Sequence, residues 1–195
     1  MNKIGKTGTG HCDGSNEQIA ALMDENRQLR SRIGELERLV RRDILTPLYN
    51  RRHFTDILDQ WIWRAHRYGG DYALMFIDVD QLKAINDRYG HDAGDKMLIT
   101  IAKALQHNVR RSDVVARMGG DEFGILFENI KASALPEKAE KISKSIAKQW
   151  FDYNGETLKP AISVGFTMIE GGVAAAEHLA RADRSMYEAK KEKRG

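Results

Sequence analysis

The chain has 195 residues, of which 42% are hydrophobic and 30% are charged, and its formal net charge is +3. This length suits one medium globular domain with an appendage. The chain contains no apolar run near the roughly 20 residues of a membrane span and no clustered basic face outside the C-terminal tail, so we expect no membrane and no nucleic acid as partner.

The single cysteine excludes an internal disulfide framework and is typical of a reducing compartment. The N-terminus also lacks the apolar region of a signal peptide. We therefore expect a cytoplasmic protein of the bacterial type. Because acidic residues are interspersed with the basic ones, a small ligand is the expected kind of anionic partner.

Two segments precede the globular part of the chain. Residues 1–17 are rich in Gly, Ser, Thr and Lys, which predicts a disordered tail or an appended expression sequence. Residues 18–42 carry a seven-residue repeat, which predicts a coiled-coil dimerisation helix. Its a and d positions are occupied by Ile19, Asn26, Ile33 and Val40 and by Leu22, Leu29 and Leu36. Mostly β-branched residues at a with leucine at d favour two parallel strands, and the lone asparagine fixes their register.

The charges beside the heptad core agree with a parallel homodimer. Glu25 at a g position faces Arg30 at an e position of the second copy, and Arg32 faces Glu37 in the same way. Both pairs attract only when the helices are parallel and in register. The alternative is a single amphipathic helix packed on its own domain, which the agreement of core, asparagine and charges disfavours.

Helix and strand signals alternate along the rest of the chain. The helical patterns lie at about 52–67, 97–108, 136–150 and 179–189. The strand patterns lie at 72–77, 114–118, 123–127 and 161–168. We predict an α/β fold of the α+β sandwich type, in which helices flank a mostly antiparallel central sheet.

Asp78 and Asp80 follow the apolar run 72–77 directly. A carboxylate at the end of a buried strand can project into a cleft while the strand itself stays covered. Mg²⁺ prefers a few hard carboxylate oxygens together with substrate phosphates, so this pair suits a metal–nucleotide complex. An aspartate after a strand also commonly caps a turn or a helix, and that alternative stays open at this point.

The predicted hairpin turns at Gly119-Gly120-Asp121-Glu122. The two glycines permit a positive-φ turn and leave no Cβ to obstruct a ligand that lies against the backbone. The two adjacent acids repel each other unless a cation lies between them. Taken alone, this pattern would favour a solvent-exposed turn.

Several separate motifs, in the same order, resemble those of the GGDEF family, the diguanylate cyclases. The segment 117–123, Arg-Met-Gly-Gly-Asp-Glu-Phe, resembles the family signature, and 43–52 resembles its opening segment. Residues 78–95 are similar to the family's substrate-binding stretch, and 163–190 contains its closing segments. On this resemblance, residues 43–195 are interpreted as a GGDEF catalytic domain.

The resemblance implies both an activity and a metal site. Family members join two GTP molecules into cyclic di-GMP and release two pyrophosphates, on a palm-like sheet. They use Mg²⁺, for which Mn²⁺ can substitute, with two ions in each active half-site. Asp78, Asp121 and Glu122 would be the catalytic acids and, with the Val79 carbonyl, the metal ligands. Asp121 stands where the family places the group proposed to deprotonate the attacking 3′-hydroxyl.

The resemblance also implies the contacts with the substrate. Asn86 and Asp95 stand where the family contacts the guanine edge, and an amide plus a carboxylate can satisfy guanine O6 and its N1 and N2 donors. Lys190 and Arg194, one helical turn apart, match the positions that bind the terminal phosphates. The other expected substrate contacts are Lys83, Gly119 and Gly120.

An Arg-x-x-Asp motif, Arg110 to Asp113, precedes the hairpin. Such a pair is often a surface ion pair of little consequence. Family members with this motif at this offset from the signature bind cyclic di-GMP there and are inhibited by it.

Because one domain holds one GTP, two domains must face each other, and the predicted coiled coil raises the local concentration of the second half-site.

Two alternatives come from the same resemblance. The first is a catalytically silent GGDEF domain that acts as a cyclic di-GMP receptor or scaffold. Silent domains usually lose acids at the hairpin, whereas Asp78, Asp121 and Glu122 are all present. The second is a cyclase with relaxed base choice that makes mixed adenine–guanine products, and the presence of Asp95 argues against it.

Overall fold

The structure is a computed structural model that describes residues 12–192. The chain divides after Val40 into two compact units, which are described separately. The first unit consists of helix α1 (Cys12–Arg41) up to Val40. Leu, Glu and Arg dominate this segment and are good helix formers.

Helix α1 begins at Cys12, earlier than the predicted boundary at residue 18. Its heptad side chains are between 50% and 64% exposed at Ile19, Leu22, Leu29, Ile33, Leu36 and Val40. Residues 1–11 of the predicted tail and the side chain of Glu37 lie outside the described part of the chain. The pairing of two such helices stays a prediction.

The second unit begins at Arg41 and alternates helices with strands. Its strands are β1 (Tyr49–Asn50), β2 (Tyr72–Val79), β3 (Val114–Gly119), β4 (Glu122–Glu128), β5 (Phe151–Tyr153), β6 (Glu156–Leu158) and β7 (Ile162–Met168). Its helices are α2 (Arg51–Tyr68), α3 (Leu82–Tyr89), α4 (His91–His107), α5 (Leu135–Ala147) and α6 (Ala175–Glu192), with a 3₁₀ turn at Ala132–Ala134.

Five of these strands form one sheet in the order β1-β3-β4-β2-β7, and β5 pairs with β6 in a separate hairpin. Strand β2 is antiparallel to both β4 and β7, and β3 is antiparallel to β4. Only the two-residue strand β1 runs parallel to its neighbour β3 within the described sheet. The predicted α/β fold with a mostly antiparallel sheet between helices is confirmed.

Apolar side chains cover both faces of the sheet. On one face Met75 and Ile77 pack in a cluster with residues of α4 and α5, such as Ile101 and Ile142. On the other face Leu74 packs in a cluster with residues of α2 and α6. Successive strand residues point to opposite faces, so a strand covered on both sides must be apolar throughout. This is why β2 is a continuous apolar run that ends in an acid.

The structure adds elements that the sequence patterns did not reveal. Helix α3 begins after Gln81, which has a positive φ of 60° and gives no side-chain cap. Gly90, with φ of 85°, ends α3 and immediately precedes α4, which therefore begins at His91 rather than at the predicted 97. Among the helices of residues 12–192, none combines the length and the apolarity needed to cross a bilayer.

Candidate active site

The predicted acids converge at one end of the sheet. Asp78 on β2 is the register partner of Glu122 on β4 and of Ser163 on β7. The Val79 N–H donates to the Asp121 carbonyl at 3.0 Å, which fixes the hairpin turn against the end of β2. The structure therefore brings the backbone of Asp121 next to β2, beside the Asp78–Glu122 pair.

An arginine side chain hydrogen-bonds to the backbone of the signature turn. Gly119 and Gly120 have φ values of 150° and 48°, and both are positive-φ conformations that favour glycine. The Arg117 guanidinium donates to the Gly120 carbonyl from Nε at 3.1 Å and from Nη2 at 2.8 Å. Its Nη1 also lies 3.4 Å from Asp43 Oδ1. Arg117 and Asp43 belong to the motifs at 117–123 and 43–52, but neither had a predicted role.

Glu122 lies among other carboxylates at this end of the sheet. Partial burial raises the pKa of the Glu122 carboxyl, and the charges of Asp121, Asp183 and Asp78 raise it further, while Arg51 opposes the shift. Glu122 and Asp183 line a cavity of about 280 Å³ between the sheet and α6. Asp183 belongs to the closing segment at 163–190 and had no predicted role. A bound cation would relieve this crowding of carboxylates.

Lys190 reaches the acids from helix α6. Its Nζ donates to Asp78 Oδ1 and lies 3.8 Å from Asp80 Oδ1. Asp80 Oδ1 also accepts from the Ser163 hydroxyl at 2.8 Å. The structure thus joins a predicted phosphate ligand to a predicted metal ligand. Arg194, the second predicted phosphate ligand, lies outside the described residues.

The predicted guanine contacts lie on two adjoining helices. The Oδ1 of Asn86 on α3 is buried and accepts no hydrogen bond from the described residues. A Cβ at Gly94 of α4 would lie 2.0 Å from that oxygen, so only glycine lets Asn86 pack so close to α4. Asp95 follows Gly94 directly and is exposed, and Lys83 is exposed on α3. An unpaired buried acceptor is costly, and this one is held against α4 at Gly94.

The donor set fits a hard cation that arrives with a phosphate ligand. Among the described residues, no group of three acidic, histidine or cysteine side chains is arranged as a closed metal cage. Mg²⁺ is usually held by one or two carboxylates together with substrate phosphates and water. Asp78 and Glu122 would supply such carboxylates, and the Lys190 ammonium is hydrogen-bonded to Asp78.

The Arg-x-x-Asp motif forms a closed turn at the opposite end of β3 from the signature turn. Asp113 Oδ2 accepts from the Arg110 N–H at 2.8 Å, and the Asp113 N–H donates to the Arg110 carbonyl at 3.1 Å. The Arg110 side chain is thereby left to line a cavity of about 460 Å³ with Lys138 and Lys141. Burial lowers the pKa of the Lys138 ammonium, and the charges of Lys141 and Arg110 lower it further, against the opposing charge of Asp113. Lys131 and the carboxylates of Asp113, Glu128 and Glu137 line the same cavity, so it carries charges of both signs.

The order and placement of these motifs agree with a comparison against known families. The family model described as "Diguanylate cyclase, GGDEF domain" matches residues 40–195. The chain belongs to the GGDEF-domain family of diguanylate cyclases. Its second unit, from Arg41 onward, is thus a GGDEF domain with the family's α/β sheet.

Individual relatives are similar over most of the chain. The diguanylate cyclase DgcP of Pseudomonas aeruginosa is 34% identical over 183 residues, which are 94% of this chain and 27% of DgcP. The coiled coil and GGDEF domain of DgcB from Caulobacter crescentus, solved with c-di-GMP, superposes with a TM-score of 0.83 at 26% identity, over 91% of this chain and 94% of that one. Diguanylate cyclase SiaD of P. aeruginosa, solved with its activator SiaC, gives 0.78 at 31% identity, over 91% and 69%.

The chain spans less than half the length of the curated relatives it matches. The share is 27% for DgcP and 46% for the diguanylate cyclase TpbB of P. aeruginosa, to which this chain is 33% identical over 199 aligned positions and 99% of its length. The remaining segments of DgcP and TpbB have no counterpart in the 195 residues of this chain.

Proposed function

We propose that this GGDEF domain is a diguanylate cyclase that condenses two GTP molecules into cyclic di-GMP and two pyrophosphates. One observation carries the proposal: Asp78 and Glu122 meet across two paired strands, directly beside Lys190. Acids that hold a metal and a lysine that binds phosphates must lie this close to act on one nucleotide. The family of the chain and the names of its relatives support the same activity.

In this proposal the metal ligands are Asp78, the Val79 carbonyl, Asp121 and Glu122. They would hold two Mg²⁺ ions, or Mn²⁺, in each half-site. When bound, the ions supply charge stabilisation to the attacking oxygen and to the departing pyrophosphate. The raised pKa of Glu122, with nearby acids contributing, supports this assignment, because the carboxylates gain most from a cation where they repel each other.

The chain's own residues position the two reacting groups. Asn86 and Asp95 hold the guanine edge, while Lys83, Lys190 and Arg194 hold the phosphates. The backbone at Gly119 and Gly120 leaves room for the nucleotide. In each half-reaction the 3′-oxygen of one GTP forms a bond to the α-phosphorus of the other, and the bond to pyrophosphate breaks.

The proton of the 3′-hydroxyl goes to the carboxylate of Asp121, which acts as the general base. Two hydrogen bonds that fix the turn support this role. The Asp121 carbonyl accepts from the Val79 N–H, and the preceding Gly120 carbonyl accepts from the Arg117 guanidinium. A general base held in this way keeps its position relative to the metal ligands of β2.

Two half-sites must face each other for the reaction, so the proposal includes a parallel homodimer through α1. The exposed apolar heptad residues support it, because isolated a and d residues leave an apolar stripe in water. The likeness to a structure that comprises a coiled coil and a GGDEF domain supports it too. The coil then raises the effective concentration of the second half-site.

Product formation from GTP, ATP and an equimolar mixture tests this proposal. With Mg²⁺ present, the protein should convert GTP alone into cyclic di-GMP, and the mixture should give the same product without mixed adenine–guanine dinucleotide. A silent receptor would bind cyclic di-GMP and convert neither nucleotide. A cyclase with relaxed base choice would make the mixed product.

The proposal also includes feedback inhibition at Arg110 and Asp113. Arg110 can offer its planar fork to guanine O6 and N7, and Asp113 retains acceptor capacity for the N1 and N2 donors. Arg110, Lys138 and Lys141, which line one cavity, would attract the two phosphates of the product. Strand β3 joins this turn to the signature turn, so bound product can hold two domains in a non-productive arrangement.

Arg110→Ala should weaken inhibition by added cyclic di-GMP by about tenfold or more, because a lost bidentate guanine contact costs about 1–3 kcal/mol. The initial rate should not change. Inhibition of the unaltered protein should persist at high GTP, since the two ligands bind at separate sites. Progress curves at low and high GTP measure both effects. Equal inhibition of Arg110→Ala and unaltered protein would reduce the motif to a surface turn.

A further inference from the structure

Lys190 is bound to a carboxylate rather than extended into solvent. Its Nζ donates to Asp78 Oδ1 and lies 3.8 Å from Asp80 Oδ1. The side chains of Lys190 and Asp78 are only 24% and 18% exposed. The protein therefore carries a partly buried ion pair at the position where the proposed function needs a metal ion.

The surroundings of Asp78 explain why an internal cation is held there. Asp78 faces Glu122 across the β2–β4 pair, and Asp80 follows on the same strand end. Unpaired carboxylates so close to each other repel, and partial burial increases the repulsion. The Lys190 ammonium offsets this repulsion in the same way that a metal ion would.

We propose that Lys190 is an exchangeable counter-ion for Asp78: it occupies the carboxylate in the nucleotide-free protein and transfers to the phosphates when a nucleotide binds. The inference rests on the proposed nucleotide site and adds an order to its filling. A lysine suits such an exchange, because its ammonium is a point charge on a flexible four-carbon stem.

The exchange couples metal binding to nucleotide binding. A divalent cation must displace the ammonium to reach Asp78 Oδ1, so the nucleotide-free protein binds metal weakly. Phosphates that take the ammonium free the carboxylate and thereby raise the affinity for the metal. By linkage, the metal raises the affinity for the nucleotide to the same extent. The active site therefore binds little metal until a nucleotide binds.

The test is Mn²⁺ binding to nucleotide-free protein, followed by the electron paramagnetic resonance signal of free Mn²⁺. Lys190→Met removes the ammonium and keeps an unbranched apolar stem. We expect it to bind Mn²⁺ about tenfold more tightly than the unaltered protein, as removal of a close, partly buried opposing charge predicts. The double variant Asp78→Asn/Lys190→Met should lose this gain, which would place the ion at Asp78.

Lys191→Met is the matched control. Lys191 is the next residue on α6, is exposed, and lies with its Nζ 4.5 Å from the centroid of the Tyr187 ring. This variant should bind Mn²⁺ as the unaltered protein does. Circular dichroism and a second substitution, Lys190→Gln, guard against an effect of misfolding.

A second measurement uses 3′-deoxy-GTP, which lacks the attacking hydroxyl and so cannot react. In the presence of Mn²⁺, Lys190→Met should bind it more weakly than the unaltered protein. Opposite changes in metal and nucleotide affinity identify an exchangeable counter-ion. If Lys190 only bound phosphate, Lys190→Met and the unaltered protein would have the same Mn²⁺ affinity without nucleotide. That result would overturn the inference, and so would undetectable Mn²⁺ binding by both proteins.

These binding measurements are independent of turnover. If the unaltered protein made no cyclic di-GMP, the proposed function would fail while the gain of Mn²⁺ affinity in Lys190→Met could still be observed. If turnover were present and the gain absent, only the counter-ion role would fail.

Discussion

Arg117 connects the opening segment of the domain to the signature turn. Three of its guanidinium contacts reach the Gly120 carbonyl and Asp43, which lies 74 positions earlier in the chain. Asp43 Oδ1 in turn accepts from the Thr46 N–H at 2.8 Å and from its hydroxyl at 2.7 Å. The turn that carries Asp121 therefore depends on a side chain that touches no proposed ligand.

Arg117→Ala should lower the rate of product formation by about tenfold or more and destabilise the domain by about 1.5–3 kcal/mol, the range for lost hydrogen bonds to a charged group. Urea unfolding and initial rates measure the two effects. Arg117→Lys keeps the charge without the fork and should recover stability more than rate. Arg64→Ala, at an exposed position of α2, is the control. An Arg117→Ala protein with normal activity would contradict the positioning role.

At the scale of elements, the small hairpin β5–β6 contacts the two helices that carry the proposed guanine contacts. The Tyr89 hydroxyl donates to Glu156 at 2.5 Å, and Arg88 donates to the same carboxylate at 3.2 Å. The Lys96 ammonium, next to Asp95, lies 4.9 Å from the centroid of the Tyr153 ring. The hairpin thus joins the end of α3 to the start of α4.

Glu156→Ala should raise the KM for GTP about two- to fivefold with kcat unchanged, the size expected for exposed polar contacts that only position a binding element. The hydrogen bond from Tyr89 lowers the pKa of Glu156. A lowered carboxyl pKa means that the contact is present at neutral pH and is lost as pH falls through that pKa. The KM difference should therefore be the same at pH 7 and pH 8. Thr157→Ala on β6 is the control. An equal change in KM in both variants would contradict the role of Glu156 in positioning α3 and α4.

The long periodic elements could be predicted from sequence, and the short ones could not. Strand β2 was predicted because two covered faces require an unbroken apolar run. Helix α3 has one buried residue, Leu82, and follows a left-handed Gln81, so it has neither an apolar period nor a side-chain cap. The start of α4 was missed because Gly94 weakens a helical pattern, and only the packing of Asn86 shows why glycine is there.

The site shows the same division. Its acids and its asparagine could be proposed because they lie in motifs that resemble those of the family, and their residue types suit the roles that the resemblance implies. The contact between Lys190 and Asp78 joins positions 112 apart, and no local pattern encodes it. The place of Asp183 beside Glu122 likewise depends on how α6 packs on the sheet.

At the scale of the whole molecule, the proposed reaction needs two GGDEF domains and one coiled coil. Deleting residues 1–41 should give a folded, mostly monomeric domain whose activity rises more than linearly with protein concentration, because two half-sites must then meet by diffusion. Leu22→Glu/Leu29→Glu should act in the same way in the full chain, whereas Arg27→Gln at a b position should not. Sedimentation velocity and rates over a dilution series measure this. Full activity of a dilute monomer would rule out the role of the coil.

The most direct test of the central claim is the identity and stoichiometry of the product made from GTP and Mg²⁺, resolved by chromatography alongside a pyrophosphate assay. The unaltered protein should release two pyrophosphates for each cyclic di-GMP. Asp78→Asn and Asp121→Asn, folded by circular dichroism, should form no detectable product, because each removes a charge shared by the bound metals. Cyclic di-GMP made by either variant at nearly the unaltered rate, or no cyclic di-GMP from the unaltered dimer, would contradict the account.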